Sequence, residues 1–253
     1  MQLEGKITLV TGGATGIGRA TALLFAEEGS AVVVADTNDV EATRTVAELT
    51  DNGHAAMFVR TDVSSAADVE ALMKTIGEEY GGLDIIANVA GVQRAEYVTE
   101  ASEENWDLIH DVNSKGCFLT AKYGVPLLRM RGGGAIVNVA SLAALSGGAG
   151  MTAYASSKGA VYSFTRALAL ELAPDIRVNC LCPGWTDTPF NNPAIGMYFG
   201  GNRDLMDESV KENVPLERQS RPEEQAAALL FLASDASSFM TAQYLVVDGG
   251  MLH

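Results

Sequence analysis

With 253 residues, 47% of them apolar and 19% charged, the chain carries enough apolar material for a sizeable core, which excludes a disordered protein. Its net charge of −15 is spread without an acidic block; it repels phosphate backbones and anionic lipid, which excludes nucleic acid and membrane surfaces as partners. A phosphorylated cofactor stays open, because backbone dipoles bind phosphate locally.

The order of elements follows from hydrophobic periodicity. Ile7–Val10 is a short apolar strand that runs into a glycine cluster, and a helical pattern follows over Ile17–Glu28, closed by Gly29. Ala31–Ala35 is a continuous apolar run, as expected of a strand buried on both faces. Then come a helix near Val40–Asn52, a strand near Ala55–Arg60, a helix near Ala66–Tyr80 and a strand near Leu83–Ala87. One long helix is predicted over Glu103–Met130, then a strand over Ala135–Ala140, a helix over Tyr154–Ala173 and a strand over Ile176–Leu181. A helix near Glu223–Ser234 and a strand at Tyr244–Val247 complete the series. Strict alternation predicts an α/β fold: one domain over residues 1–253, a doubly wound parallel sheet with helices on both faces. The exception is 185–217, long, irregular and rich in Pro and Gly, which reads as a functional lid.

Met1–Lys6 has no basic stretch followed by an apolar run, so no signal peptide is expected. Gly132–Ser157 carries no formal charge and is long enough to span a bilayer, but its glycines, Asn138 and Ser141 make it strand, loop and helix start. Cys117, Cys180 and Cys182 form no CxxC pair; they read as buried small hydrophobes in a reducing compartment, with Cys180 and Cys182 on one strand face. A cytoplasmic protein is the expectation. His54, His110 and His253 form no ligand-spaced cluster, so no metal is expected.

Thr11-Gly12-Gly13-Ala14-Thr15-Gly16-Ile17-Gly18 lies between the first strand and the first helix. Glycines there let the backbone turn sharply and approach a pyrophosphate, which the free N–H groups of the helix start would bind; the other reading is a plain glycine-rich turn. Arg19-Ala20 after Gly18 disfavours a kinase-type phosphate loop. Asp36 ends the second strand, where a carboxylate would accept from ribose hydroxyls and repel a 2′-phosphate, unless it serves only its own turn. Thr15 adds no positive charge, so NAD is favoured over NADP. Asp62, before Val63, has two readings, contact with an adenine edge or polarity at a helix start. Asn88, Ala90 and Gly91 end the fourth strand at the same edge, where small residues would let a cofactor pass.

Tyr154 and Lys158 stand four apart on one helical face. An ammonium near the phenol, together with a nicotinamide cation, would lower the tyrosine pKa and let it take an alcohol proton as hydride leaves. Ser141 ends the fifth strand and could hold the substrate oxygen. Asn113 interrupts the long helical segment and could hold a water linking Lys158 to solvent, or be an ordinary helix residue.

Taken in order, Thr-Gly-x3-Gly-x-Gly at Thr11–Gly18, Asn88-x-Ala90-Gly91, Asn113, Ser141, Tyr154-x3-Lys158 and Pro183-Gly184-x3-Thr188 resemble the classical short-chain dehydrogenase/reductase family across essentially the whole chain. The resemblance implies a Rossmann-type fold with a seven-stranded sheet and a catalytic tetrad Asn113, Ser141, Tyr154 and Lys158. It also implies a Lys158 contact to the nicotinamide ribose, Pro183, Gly184, Thr186 and Thr188 near the cofactor, and a homotetramer. Two positions depart from the pattern: Val89 stands where a second asparagine is common, and Thr186 where Val or Ile is usual, which weakens the carry-over of a nicotinamide contact there.

The activity this implies is NAD-dependent interconversion of a secondary alcohol and its ketone. Trp185, Phe190, Ile195, Met197, Tyr198 and Phe199 of the lid, with Leu142, Leu145 and Met151, suggest an uncharged, largely apolar or cyclic substrate, although half of them must pack the lid itself. The nearest alternative is a 3-oxoacyl-thioester reductase, for which Arg94, Lys122, Arg129, Arg131 and Arg203 are scattered carrier-binding candidates. A cofactor-binding regulatory protein without catalysis is the remote one. No G-x-S-x-G flanks Ser141, which disfavours a serine hydrolase.

Overall fold

Short apolar runs bounded by glycine or polar turns become parallel strands, and each intervening amphipathic stretch folds back over the sheet as a helix. The computed structural model describes residues 1–252; His253 lies outside the described residues. In chain order the elements are β1 (Ile7–Thr11), α1 (Gly16–Glu27), β2 (Ala31–Asp36), α2 (Asp39–Asp51), β3 (Ala56–Arg60), α3 (Ala66–Tyr80) and β4 (Ile85–Asn88). They continue with α4 (Glu103–His110), α5 (Gly116–Met130), β5 (Gly134–Val139), α6 (Ala143–Ser146), α7 (Thr152–Leu172), β6 (Ile176–Pro183), α8 (Asn192–Phe199), α9 (Arg203–Asn213), α10 (Pro222–Ala233) and β7 (Tyr244–Val247). The seven strands form one parallel sheet in the order β3-β2-β1-β4-β5-β6-β7.

Alternate residues of each strand feed opposite faces. Leu9, Val33, Ile86, Ile136 and Val178 join α3, α5 and α7 on one face. Val10, Val32, Val34, Val137 and Leu181 join α1, α2 and α10 on the other. Cys180 and Cys182 share one face, as their spacing predicts, and pack with Cys117, Ala140 and Val161. All three thiols are free and buried. Among the described residues no helix is long and apolar enough to cross a membrane.

Two expectations are corrected. The single helix over Glu103–Met130 is broken: α4 stops at His110, one π-helical turn spans Asp111–Lys115, and α5 begins at Gly116. A π turn inserts an extra residue and redirects the side chains within it. The segment 185–217 is not irregular; it holds α8 and α9. The side chain of Asn202 caps α9 by accepting from Asp204 and Leu205 N–H, and Gly200, at φ +60°, ends α8. Ile195, Met206, Val210 and Val214 give this segment a small core of its own, against which Trp185 and Phe199 pack.

At the amino edge Asp84 sets the register of three strands. Its carboxylate accepts from Ile7 N–H at 2.8 Å and from Arg131 Nε at 2.7 Å, and its backbone bonds Ile7 O and Ala135 N. Asp84→Ala would strand a buried N–H and the guanidinium, so a loss of roughly 2–3 kcal/mol is expected. A melting temperature equal to wild type would remove this role from Asp84.

Candidate active site

Strands β1 and β4 lie side by side, but the chain leaves them toward opposite faces of the sheet, and a crevice opens above their carboxyl ends. The two ends approach at backbone distance. Thr11 Oγ1 accepts from Val89 N–H at 3.1 Å and from Ala90 N–H at 3.2 Å. A Cβ on Gly12, at φ +68°, would stand 2.7 Å from Ala90 Cα, and one on Gly18 would stand 2.0 Å from Gly12 O. Glycine is therefore required at both positions to bring the start of α1 against the sheet.

A cavity of about 730 Å³ runs along this edge. Every residue predicted for the site lines it except Asn88 and Asn113. Its charged lining residues are Asp36, Asp62 and Lys158. Asp36, at the tip of β2, accepts from Ala14 N–H at 3.0 Å and Asn38 N–H at 2.9 Å, so it serves both its own turn and the glycine loop. Asp62 accepts from the N–H and hydroxyl of Ser64, at 2.9 and 2.7 Å: the polarity expected at a helix start, on a residue that also lines the cavity. The space between Gly16 and Thr188 is narrow; a Cβ at Gly16 would meet Thr188 Cγ2 at 3.3 Å. Thr186 turns its hydroxyl to Ser220 at 2.9 Å, and its carbonyl accepts from Asn191 Nδ2 at 2.6 Å.

Asn88 and Asn113 act behind the lining. Asn88 Nδ2 donates to Asn138 Oδ1 at 2.8 Å, and Asn138 Nδ2 donates to Thr165 Oγ1 at 2.9 Å, which ties β4 to β5 and to α7. The π turn aims Asn113 inward. Its Oδ1 accepts from Val92 N–H at 2.8 Å, while its Nδ2 donates to Val92 O and to Ser157 Oγ, both at 3.0 Å. Ser157 Oγ in turn donates to Tyr154 O at 2.8 Å. The side chain of Asn113 thus clamps the β4–α4 connection to α7.

Tyr154 and Lys158 are both buried on α7, and Lys158 Nζ donates to Val139 O at 2.8 Å. The ammonium stands 6.0 Å from the centroid of the tyrosine ring. Burial pushes the Tyr154 phenol up to about 12, although the Ser141 hydroxyl pulls the other way. Burial also holds Lys158 below the ordinary lysine range, with the nearby cysteines opposing. The expected lowering of Tyr154 by Lys158 is therefore corrected for the protein alone: desolvation of the phenolate outweighs an ammonium at this distance. Ser141 Oγ accepts from Ala143 N–H at 3.1 Å at the end of β5.

The carrier-binding candidates stay scattered, and none of the five lines the cavity. Arg131 pairs with Asp84 at the opposite edge, Arg203 with Asp187, and Arg94 donates to Gln93 O. Sequence reasoning missed Thr11, Ser157, Gln93 and Asn191; only Thr11 carried a signal, as the first residue of the glycine motif. Of the apolar lid residues, Phe190, Tyr198 and Trp185 reach the cavity, whereas Ile195 and Phe199 serve the lid core.

These features have counterparts. A family model described as enoyl-(acyl carrier protein) reductase matches residues 12–252. The chain is 37% identical over 254 residues to the 3-oxoacyl-(acyl-carrier-protein) reductase FabG of Thermotoga maritima, covering 100% of each. It is 38% identical over 249 residues to the short-chain reductase protein NovJ of Streptomyces niveus, covering 98% of this chain and 94% of that one. Among solved structures it superimposes on the L-sorbose reductase of Gluconobacter frateurii, complexed with NADPH and L-sorbose, with a TM-score of 0.93 and 32% identity, covering 100% of this chain and 99% of the other.

The tight packing of the glycine turn makes Gly18→Ala a direct test of the cradle. Overlap of the new Cβ with Gly12 O should push α1 off the sheet edge and lower dinucleotide affinity by at least about tenfold. NADH fluorescence titration with wild-type affinity would show that the turn does not form the binding site.

Proposed function

The chain belongs to the short-chain dehydrogenase/reductase family of oxidoreductases, which use a nicotinamide cofactor, and we propose that it interconverts a secondary alcohol and its ketone with NAD in preference to NADP. The observation that carries this reading is the meeting of Ser141, Tyr154 and Lys158 in one cavity whose other lining charges are Asp36 and Asp62. The residues fit the cofactor: Gly12, Gly16 and Gly18 leave a cradle at the start of α1, with Asp36 beside it and Thr188 facing it. When bound, the cofactor supplies the hydride acceptor or donor and, in its oxidised form, a positive ring.

The chain's own residues do the rest. Ser141 holds the substrate oxygen through its hydroxyl. Tyr154 takes the carbinol proton on its phenolate oxygen in oxidation and returns it in reduction. Lys158, anchored by Val139 O, keeps a positive charge on the same helical face as the phenol and would reach the ribose hydroxyls. Asn113 fixes the position of this helix through Ser157.

Preference for NAD rests on Asp36, since a carboxylate at the tip of β2 accepts from ribose hydroxyls and repels a 2′-phosphate, and no arginine lines the cavity to offset it. The substrate is uncharged and largely apolar or cyclic, because Leu142, Met151, Trp185 and Phe190 share the wall with Ser141. A second reading, reduction of a 3-oxoacyl thioester, is favoured by likeness to the carrier-protein reductase. The lack of any basic lining residue besides Lys158 among the described residues counts against it. In the same reading the protein is a cytoplasmic homotetramer; free buried thiols suit a reducing compartment, and the exposed Phe118, Leu170 and Phe239 suit assembly.

The test is nicotinamide absorbance with NAD⁺ and NADP⁺ across alcohols, polyols and 3-hydroxyacyl thioesters; best turnover on a thioester with NADP⁺ would overturn the reading. Tyr154→Phe should cut turnover by about 10²- to 10⁴-fold with cofactor affinity retained. Oxidation needs the deprotonated phenol, which burial disfavours in the protein alone and a bound nicotinamide cation would favour, so oxidation should accelerate as pH rises while reduction holds through neutral pH. An oxidation rate that falls between pH 7 and 9 would contradict this assignment. Asp36→Ala should narrow the NAD/NADP preference by roughly tenfold, the scale of one charge-assisted hydrogen bond; an unchanged ratio would end its role.

A further inference from the structure

Gln225 is fully buried on α10, where the other buried residues are all alanine or leucine. Among the described residues its Oε1 has no hydrogen-bond partner. A primary amide is costly to bury half-satisfied, so its place in an apolar helix face is explained by what its nitrogen holds. Nε2 donates to Val247 O at 3.0 Å and to Ser220 Oγ at 2.8 Å. Val247 O has no proton to give, so the nitrogen and not the oxygen must face it. The same carbonyl accepts from Gly184 N–H at 3.1 Å, at the end of β6.

Ser220 is where the lid returns to the body of the protein. It forms a parallel bridge with Thr186. Its N–H donates to Trp185 O and its carbonyl accepts from Asp187 N–H, both at 2.9 Å, and its hydroxyl meets that of Thr186 at 2.9 Å. The lid therefore leaves and returns through one neck, and the Gln225 amide ties that neck to the ends of β6 and β7. Trp185, Thr186 and Thr188 of the neck line the cavity, whereas Gln225 does not. The neck adjoins the reacting end. Leu142 N–H, next to Ser141, donates to Pro183 O at 2.8 Å, and the Phe190 ring stands 6.0 Å from that of Tyr154. The glycine turn and Asp36 lie farther along the sheet, at β1 and β2.

We propose that Gln225 is a positioning residue that acts through Ser220: it sets where Trp185, Thr186 and Thr188 stand against the nicotinamide end of the bound cofactor, and touches neither cofactor nor substrate. This rests on the nicotinamide-cofactor reading and extends it to a residue outside the cavity.

The experiment compares two ligands by calorimetry: NADH, and ADP-ribose, which has both riboses and the pyrophosphate but no nicotinamide ring. In Gln225→Leu, and in Gln225→Met, which keeps the length of the side chain, NADH affinity should fall by about tenfold while ADP-ribose affinity stays within about twofold. The ADP-ribose affinity also reports that each variant is folded. Ser220→Ala should give the same selective loss, and adding it to Gln225→Leu should weaken NADH binding by no more than about twofold further, because both residues belong to one chain of bonds. A loss shared equally by the two ligands is a merely structural effect and overturns the proposal. Wild-type NADH affinity in both Gln225 variants, or additive losses in the double variant, overturns it too. If the wild type binds neither ligand, the cofactor reading itself fails and the proposal falls with it.

Discussion

The site depends on the close approach of β1 and β4. Thr11 Oγ1 receives two successive N–H groups from the end of β4, and Gly12 lies where any side chain would collide with Ala90. This contact holds the strand ends together while their chains diverge to opposite faces, so a crevice must open between them. The remaining lining follows in order: Asp36 stands one strand away on β2, and Ser141 one strand away on the other side, after β5.

The other half of the site is carried by α7, whose placement is set by polar contacts inside an apolar face. Thr165 meets the Asn138 amide, Lys158 meets Val139 O, and Ser157 meets Asn113. Each bond lies where water is excluded, so each is directional and costly to lose. The same burial shifts the ionisation of Tyr154 and Lys158. It favours a neutral phenol on Tyr154 and weakens the charge on Lys158. Three thiols beneath Lys158 add polarizable bulk without fixed charge.

Most strand and helix positions along the chain are legible because the sheet is buried on both faces and each strand is a run of apolar residues such as Val32–Val34; the order of the strands in the sheet is not. The glycine turn, Tyr154 and Lys158 were legible because their spacing carries their geometry. What escaped depends on contacts distant in sequence. The π turn looks helical, since one inserted residue leaves the periodicity on either side intact. Helices α8 and α9 were hidden because their core is only Ile195, Met206, Val210 and Val214 within a polar, glycine-rich stretch. Asn138 reads as an interruption of an apolar strand, yet it is the middle of a ladder from β4 to α7. For Tyr154, spacing reveals a neighbouring ammonium but not the loss of solvent around the phenol, which raises its pKa in the protein alone.

The distribution of charge carries the last step. A chain with net charge −15 could be expected to line its cavity with carboxylates, yet only Asp36 and Asp62 reach it, both after strands on the β2–β3 side of the sheet. On the side of β5 and β6 the lining is glycine, aliphatic and aromatic, and its polar side chains are largely turned to the backbone. An anionic molecule would cross an acidic surface and meet Lys158, already bound to Val139 O, as the one cation among the described lining residues. A neutral substrate meets no such penalty and gains from apolar contact. The acidic surface and the largely uncharged inner wall thus act in the same direction, against an anionic small molecule.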